Sequence, residues 1–238
     1  MGKIITLSVS CVALITCAVL TLRAAGGGNK FEFSADGRFV RATSPSTTKV
    51  PGPVEDAKLT TIFSNFSTYP EATYFSIWGN TIAQGGANFP FQTWVADAFT
   101  PTANANVTEI QVSAGRQGGG NAGFEIGLYA DAGGIPGAVL KSVHLAGSKL
   151  PSYGECCGVA TAKFSGGGIP VTAGTQYWVA VTTTAADTNI YAWAFNSTNM
   201  SPQLIAGWCS GAETYCGSND GVWVSSEYVQ HGFAVFGK

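Results

Sequence analysis

Charge is what this chain has least of. Of 238 residues, 12 are Lys or Arg and 14 are Asp or Glu, against roughly a quarter in a typical globular protein. No basic stripe is present of the kind that neutralises phosphates, so nucleic acid is excluded as a partner. Runs of like charge and basic amphipathic helices are missing too. Histidine is nearly absent. His144 falls on an alternating strand, His231 just before the last strand, and neither lies near a cysteine, so no metal site is expected. Helical periodicity is missing after the first 25 residues. There is no Gly-x-Ser-x-Gly, no His-Glu-x-x-His and no phosphate-cradling loop. The run Gly115 to Gly120 lacks the Lys-Ser/Thr ending and reads as a hairpin loop. Glycoside cleavage needs two carboxylates across the scissile bond, and no spacing among Glu109, Glu125, Glu155, Glu213, Glu227 and the aspartates singles out a pair. No catalytic residue is assigned, and the chain reads as a non-enzyme.

What is present begins with a leader. Lys3 precedes an uncharged, mostly apolar run from Ile4 to Leu22, followed by Arg23 and a Gly26-Gly27-Gly28 spacer. This is an export signal, which predicts a secreted or cell-envelope location. Three fates are open for residues 1–25: cleavage, which is favoured; lipidation at Cys17; or retention as an N-terminal membrane anchor, since nineteen residues sit at the short end of the roughly 17–25 that span a bilayer. Membrane contact is expected only through this segment.

Residues 26–58 read as a linker, with a short hairpin turned by Asp36-Gly37. The folded domain, 59–238, is expected to begin near Leu59. Without the leader, ten basic side chains face fourteen acidic ones. Four cysteines remain, and an even count after export predicts disulfides. Cys209–Cys216 is favoured because it closes a short loop, leaving Cys156 and Cys157 adjacent. The crossed connectivity stays open.

Short alternating runs fill the domain. Phe124, Ile126 and Leu128 alternate with Glu125, Gly127 and Tyr129. Tyr177 to Val181 is apolar on both faces, as a central strand would be. Tyr191, Trp193 and Phe195 share a face. Val107 groups with Glu109 and Gln111, opposite Ile110 and Val112. Gly-rich turns separate these runs. The pattern predicts an all-β, antiparallel β-sandwich, jelly-roll-like. The Asn-x-Ser/Thr matches at Asn65, Asn106 and Asn196 read as turn and strand residues.

The order of these segments resembles a known family. Ile62 to Phe66 opens the domain, Ala98-Phe99-Thr100-Pro101 follows, and then Gly127-Leu128-Tyr129-Ala130-Asp131 with Gly134-Ile135-Pro136-Gly137. Cys156-Cys157, Ala173 to Val179 and a closing Phe233 to Gly237 complete it. Over residues 59–238 the chain resembles the secreted bacterial "choice-of-anchor" domains, R type. The resemblance implies an exported β-sandwich held by varied sorting tails, with no assigned molecular activity. It departs from the pattern in stopping at Lys238 with no C-terminal sorting motif.

Aromatic residues offer the candidate binding surface. Six tryptophans are present; Trp178 and Trp94 are expected in the core. Trp208 and Trp223 flank the Cys209–Cys216 loop amid Gly, Ser and Asn, where a sugar ring would stack and hydrogen-bond. Trp193 and Tyr153 are added to that candidate set; the bland alternative is that these residues only stabilise loops. Structural calcium near Asp131 or Asp220 has no ligand-spacing signature, and no cofactor is expected. The leading expectation is therefore a structural or adhesive envelope module with glycans or envelope proteins as partners. A lectin-like sugar-binding domain is the alternative, and a glycoside-active enzyme the third.

Overall fold

A computed structural model of the chain describes residues 31–33, 39–42, 58–66, 74–83, 91–117, 122–150, 159–183, 190–196, 201–211 and 216–238. The leader, Tyr153, Cys156 and Cys157 lie outside these residues. In chain order the strands are β1 (Phe31–Phe33), β2 (Phe39–Ala42), β3 (Thr60–Ser64), β4 (Tyr74–Ala83), β5 (Phe91–Phe99), β6 (Ala105–Val112), β7 (Ala114–Gln117) and β8 (Gly123–Asp131). They continue with β9 (Pro136–Ala146), β10 (Ala160–Lys163), β11 (Ile169–Val171), β12 (Tyr177–Thr182), β13 (Ile190–Asn196), β14 (Gln203–Gly211), β15 (Val222–Tyr228) and β16 (Phe233–Gly237). The described residues include two single 3-10 turns, at Gly147–Lys149 and Gly217–Asn219. No helix among the described residues is long and apolar enough to cross a membrane.

These strands build two antiparallel sheets, the sandwich that the alternating pattern implies. The larger runs β1-β2-β4-β5-β12-β8-β9, with β13 and β7 continuing from β4, and β14 and β15 from β5. The smaller runs β10-β6-β16-β3, with β11 beside β6. β1 and β2 form a hairpin, and β2 pairs with β4. The larger sheet therefore takes in Phe31–Phe33 and Phe39–Ala42, upstream of Leu59.

One strand belongs to both layers. The chain leaves the smaller sheet at the end of β6 and enters the larger one as β7, turning at Ser113. The Ser113 N–H donates to the Gly232 carbonyl at 2.9 Å, and its carbonyl accepts from Ala194 at 2.9 Å. Its Oγ lies 2.9 Å from the Ala194 oxygen and 3.0 Å from that of Gly232. A strand that changes sheet forms a corner of the sandwich and must satisfy its bent backbone there; Ser113 does so with both backbone and side chain.

The core lies between the sheets. Phe124, Ile126, Leu128, Tyr177, Val179 and Val181 reach inward from the larger sheet, and Ile110, Val112, Phe233 and Val235 from the smaller. Phe124 meets Tyr191 edge to face at 5.4 Å, and Trp193 meets Phe233 likewise at 6.1 Å, contacts worth about 0.5–1.5 kcal/mol each beyond burial. Val107 also joins this core, contrary to its place in simple alternation. The pairing of β6 with β16 shifts register between Phe236 and Gly237, and such a bulge reverses the facing of every residue beyond it.

A second apolar layer covers the outer face of the larger sheet. Trp178, Ala180, Ala96 and Ala206 have no exposed surface there, and Tyr129, Leu204 and Trp223 pack on them. The odd residues of β8 and the even residues of β5, β12 and β14 share this face through register.

Candidate functional site

The inner face of the larger sheet becomes progressively exposed toward β15. Val95, Gly207 and Val224 stand in one cross-strand row. Val95 is buried, whereas Val224 is 41 % exposed. Between them Gly207 contributes no side chain, and a carbon placed at its Cβ position would meet nothing within 4 Å. The missing side chain opens a groove of about 280 Å³. Ile205 and Val224 line it with Asn80, Thr93, Ser226 and Tyr228. An apolar bed with a few amides and hydroxyls is the usual make-up of a ligand groove.

Both ends of the groove are fixed. At one end Cys209 and Cys216 form a disulfide, with a sequence separation of 7, as the short-loop argument favoured. Gly221 donates to the Cys209 carbonyl at 2.8 Å and Gly211 to Asp220 Oδ1 at 2.9 Å, so the β14–β15 connection is tied three times. At the other end the Tyr228 ring rests on Phe195 at 5.5 Å, and Phe195 stacks on His231 at 4.7 Å. His231 is fully buried and stacks on Trp193 as well, also at 4.7 Å. Its backbone N–H donates to Asp97 Oδ2 at 2.7 Å, and its Nδ1 lies 3.0 and 3.1 Å from the two carboxylate oxygens. Burial pushes the Asp97 carboxyl above its ordinary value despite the opposing pull of His231. The wall behind Tyr228 is thus an aromatic stack anchored by a buried Asp–His pair.

Trp208 and Trp223 do come together, on the opposite face of the same strands. They are cross-strand partners on β14 and β15, and Trp94 on β5 is in register with Trp208. Trp94 and Trp208 stack at 3.9 Å and 15°, while Trp223 approaches Trp94 at 6.4 Å and 43°. Trp94, expected in the core, is only half-buried and donates its Nε1–H to Thr183 Oγ1 at 3.0 Å. Trp178 is fully buried, but beneath the outer layer rather than between the sheets. Trp193 does not join the pair: it lies in the sandwich core with no exposed surface, its Nε1–H donated to the Gly232 carbonyl at 3.0 Å. A buried, hydrogen-bonded indole has no face for a ligand, so Trp193 leaves the candidate set.

The two aspartates considered for calcium are engaged with donors. Asp131 accepts from Gly133, Gly134, the Gln176 amide and the Trp178 indole, all within 3.2 Å. Asp220 accepts from Gly211. No group of three or more His, Cys, Asp or Glu placed to hold a metal occurs among the described residues.

Tyr228 and Gly207 were not singled out by sequence reasoning. The signal for Tyr228 was present: strict alternation along Val222 to Tyr228 sets Val, Val, Ser and Tyr on one face and Trp, Ser and Glu on the other. The signal for Gly207 was not, because a groove made by an absent side chain requires knowing its cross-strand neighbours.

The fold defines an antiparallel β-sandwich with a groove at one edge. No family model, curated protein or solved structure matches the chain.

Proposed function

We propose that this chain is an exported, non-catalytic β-sandwich module of the cell envelope or extracellular matrix, structural or adhesive, whose partner is held in the groove over Gly207. The observation that carries this reading is the groove's chemistry. Among the described residues its lining consists of aliphatic side chains, amides, hydroxyls, the Cys209–Cys216 pair and the Tyr228 ring, with no carboxylate and no imidazole. General acid–base catalysis near neutral pH needs a group that titrates there, whereas recognition needs shape and neutral hydrogen bonds. The disulfide agrees with an oxidising compartment. The leader and the resemblance to choice-of-anchor domains point the same way.

A second reading is a carbohydrate-binding domain using the outer indoles. The register that sets the half-exposed Trp208 and Trp223 opposite one another favours it.

Both readings are tested on a broad glycan array with the wild type, Gly207→Leu and the Trp208→Ala/Trp223→Ala pair. Gly207→Leu fills the groove at a site with open space, so it should alter stability by no more than about 1 kcal/mol. Binding lost only in Gly207→Leu places the ligand in the groove. Binding lost only in the tryptophan variant selects the outer indoles. Glycan silence from the folded protein directs the search to envelope proteins. Hydrolytic turnover abolished by a single carboxylate change would defeat the non-catalytic reading.

A further inference from the structure

β15 ends the larger sheet beyond β14, and its far edge pairs with no described strand. From Trp223 to Tyr228 it pairs with β14 without a register shift. Apart from the half-buried Trp223, every residue in the strand is exposed. Val222 is 51 % exposed, Val224 41 % and Tyr228 40 %. These are three of the five large hydrophobics exposed among the described residues.

Folded proteins ordinarily blunt such edges with Lys, Pro, bulges or a covering segment. β9, at another end of the same sheet, carries these devices. It opens at Pro136, its pairing with β8 shifts register twice, and Lys141 donates to the Ser165 carbonyl at 2.6 Å. Among the described residues no segment covers β15, its pairing has no bulge, and its one charge is Glu227. Its sequence, Val-Trp-Val-Ser-Ser-Glu-Tyr, contains no proline and no basic residue, and consists largely of strand formers.

We infer that β15 pairs antiparallel with β15 of a second copy of this chain, joining the two larger sheets into one across a two-fold axis at Ser225. The strand is self-complementary about that residue. The two-fold sets Val222 opposite the second copy's Tyr228, Val224 opposite its Ser226, and Trp223 opposite its Glu227. Each pair joins residues of the same facing, so the two inner faces remain on one side. The strand's single charge meets an indole rather than itself, which avoids the like-charge opposition that destabilises cross-strand pairs. Small serines meet at the axis. A two-fold contact uses the same edge of both copies, so addition through β15 closes at two copies instead of extending into a filament. The two grooves, both bordered by Val222 and Val224, then meet along the seam.

The test is a charge swap at the axis, read by sedimentation over a concentration series. Ser225 is exposed, so its replacement should leave folding intact, which equal thermal unfolding of the variants confirms. The wild type is expected to dimerise. Ser225→Lys opposes two ammonium groups and Ser225→Glu two carboxylates, and each should raise the dimer dissociation constant by about tenfold or more. Mixed in equal amounts, the two variants should recover a dimer, because opposite charges then meet. A wild type that stays monomeric at every concentration, a dimer indifferent to both changes, or a mixture that fails to recover would overturn the pairing. Association of the wild-type edge only with an added strand-forming peptide of another sequence would overturn it too. None of these outcomes depends on what the groove binds.

Discussion

Asp97 holds His231 by two routes at once, accepting from its backbone N–H at 2.7 Å while its carboxylate oxygens flank the ring Nδ1 at 3.0 and 3.1 Å. The residues are 134 apart in sequence and wholly buried. They tie β5 to the lead into β16, and so one sheet to the other. Removing one member of a buried pair strands the other, at a cost of about 3–5 kcal/mol. Asp97→Ala should lower the unfolding free energy in urea by about that amount. The pH dependence has a definite sign. Burial raises the folded carboxyl above 3.8, so the folded state keeps this proton more tightly than the unfolded chain does. Stability from this group is therefore greatest below 3.8 and declines as pH rises through the folded value. Asp97→Asn cannot titrate, and the advantage of wild type over it should shrink over that window. A flat or growing difference in urea melts across pH would show the sign to be wrong.

Asp131 behaves in the opposite sense. Desolvation alone would raise its pKa, but bonds from Trp178, Gly134, Gln176 and Gly133 outweigh it and hold the carboxyl below 3.8. Its contribution is present above 3.8 and is lost as pH falls through the lower folded value. The carboxylate fixes the β8–β9 turn, where Gly133 and Gly134 take φ of 77° and 89°, and anchors the Trp178 indole. The site is exposed, so Asp131→Ala should cost only about 1 kcal/mol near neutrality. The gap to wild type should close in acid. Comparing the two urea midpoints at neutral and acidic pH checks this, and a gap that persists in acid would mean the loss is one of packing.

Much of the fold was legible because alternation is a local signal. Phe124, Ile126 and Leu128 face the core, and Glu125, Gly127 and Tyr129 face away, as their period requires. Cys209–Cys216 followed from loop length alone. Trp208 and Trp223 were grouped for flanking one short loop, and the β14–β15 register makes them neighbours. What failed is what the period cannot carry. Alternation continues unbroken through Ser113 although the chain changes sheet there, and the bulge that turns Val107 inward leaves no mark in composition. Trp193 lies in a run whose residues are buried on both sides, so an aromatic there gave no hint of which wall it served. The Asp97–His231 pair joins residues from distant parts of the chain, and nothing near either one announces the other.

The Cys209–Cys216 loop sets the stability of the groove's far end. Closing so short a loop restrains the unfolded chain by about 2–3 kcal/mol. Replacing both cysteines by serine should lower Tm by about 4–8 °C, since Cys216 is buried and its partner strand is otherwise held by the bonds to Gly211 and Gly221. Reductant should move the wild type by the same amount and leave the double variant unmoved. Equal melting of the two proteins in oxidising buffer would mean those bonds close the loop unaided.

The Trp94–Trp208 stack decides what the outer face can offer a ligand. At 3.9 Å and 15° each indole covers a face of the other, and the Thr183 hydroxyl fixes the orientation of Trp94. A planar sugar face would therefore have only the other side of the Trp208 ring to meet. Such a pair is coupled beyond the area it buries, by about 1 kcal/mol. Trp94→Ala and Trp208→Ala should each destabilise the protein, and the double variant should lose about 1 kcal/mol less than the sum of the two. Circular dichroism gives an independent reading, because two stacked indoles couple their transitions and either substitution alone should abolish the same band. Additive losses with unrelated spectral changes would show that the rings do not stack in solution. Both faces of Trp208 would then be open, and the sugar-binding reading would gain over the groove.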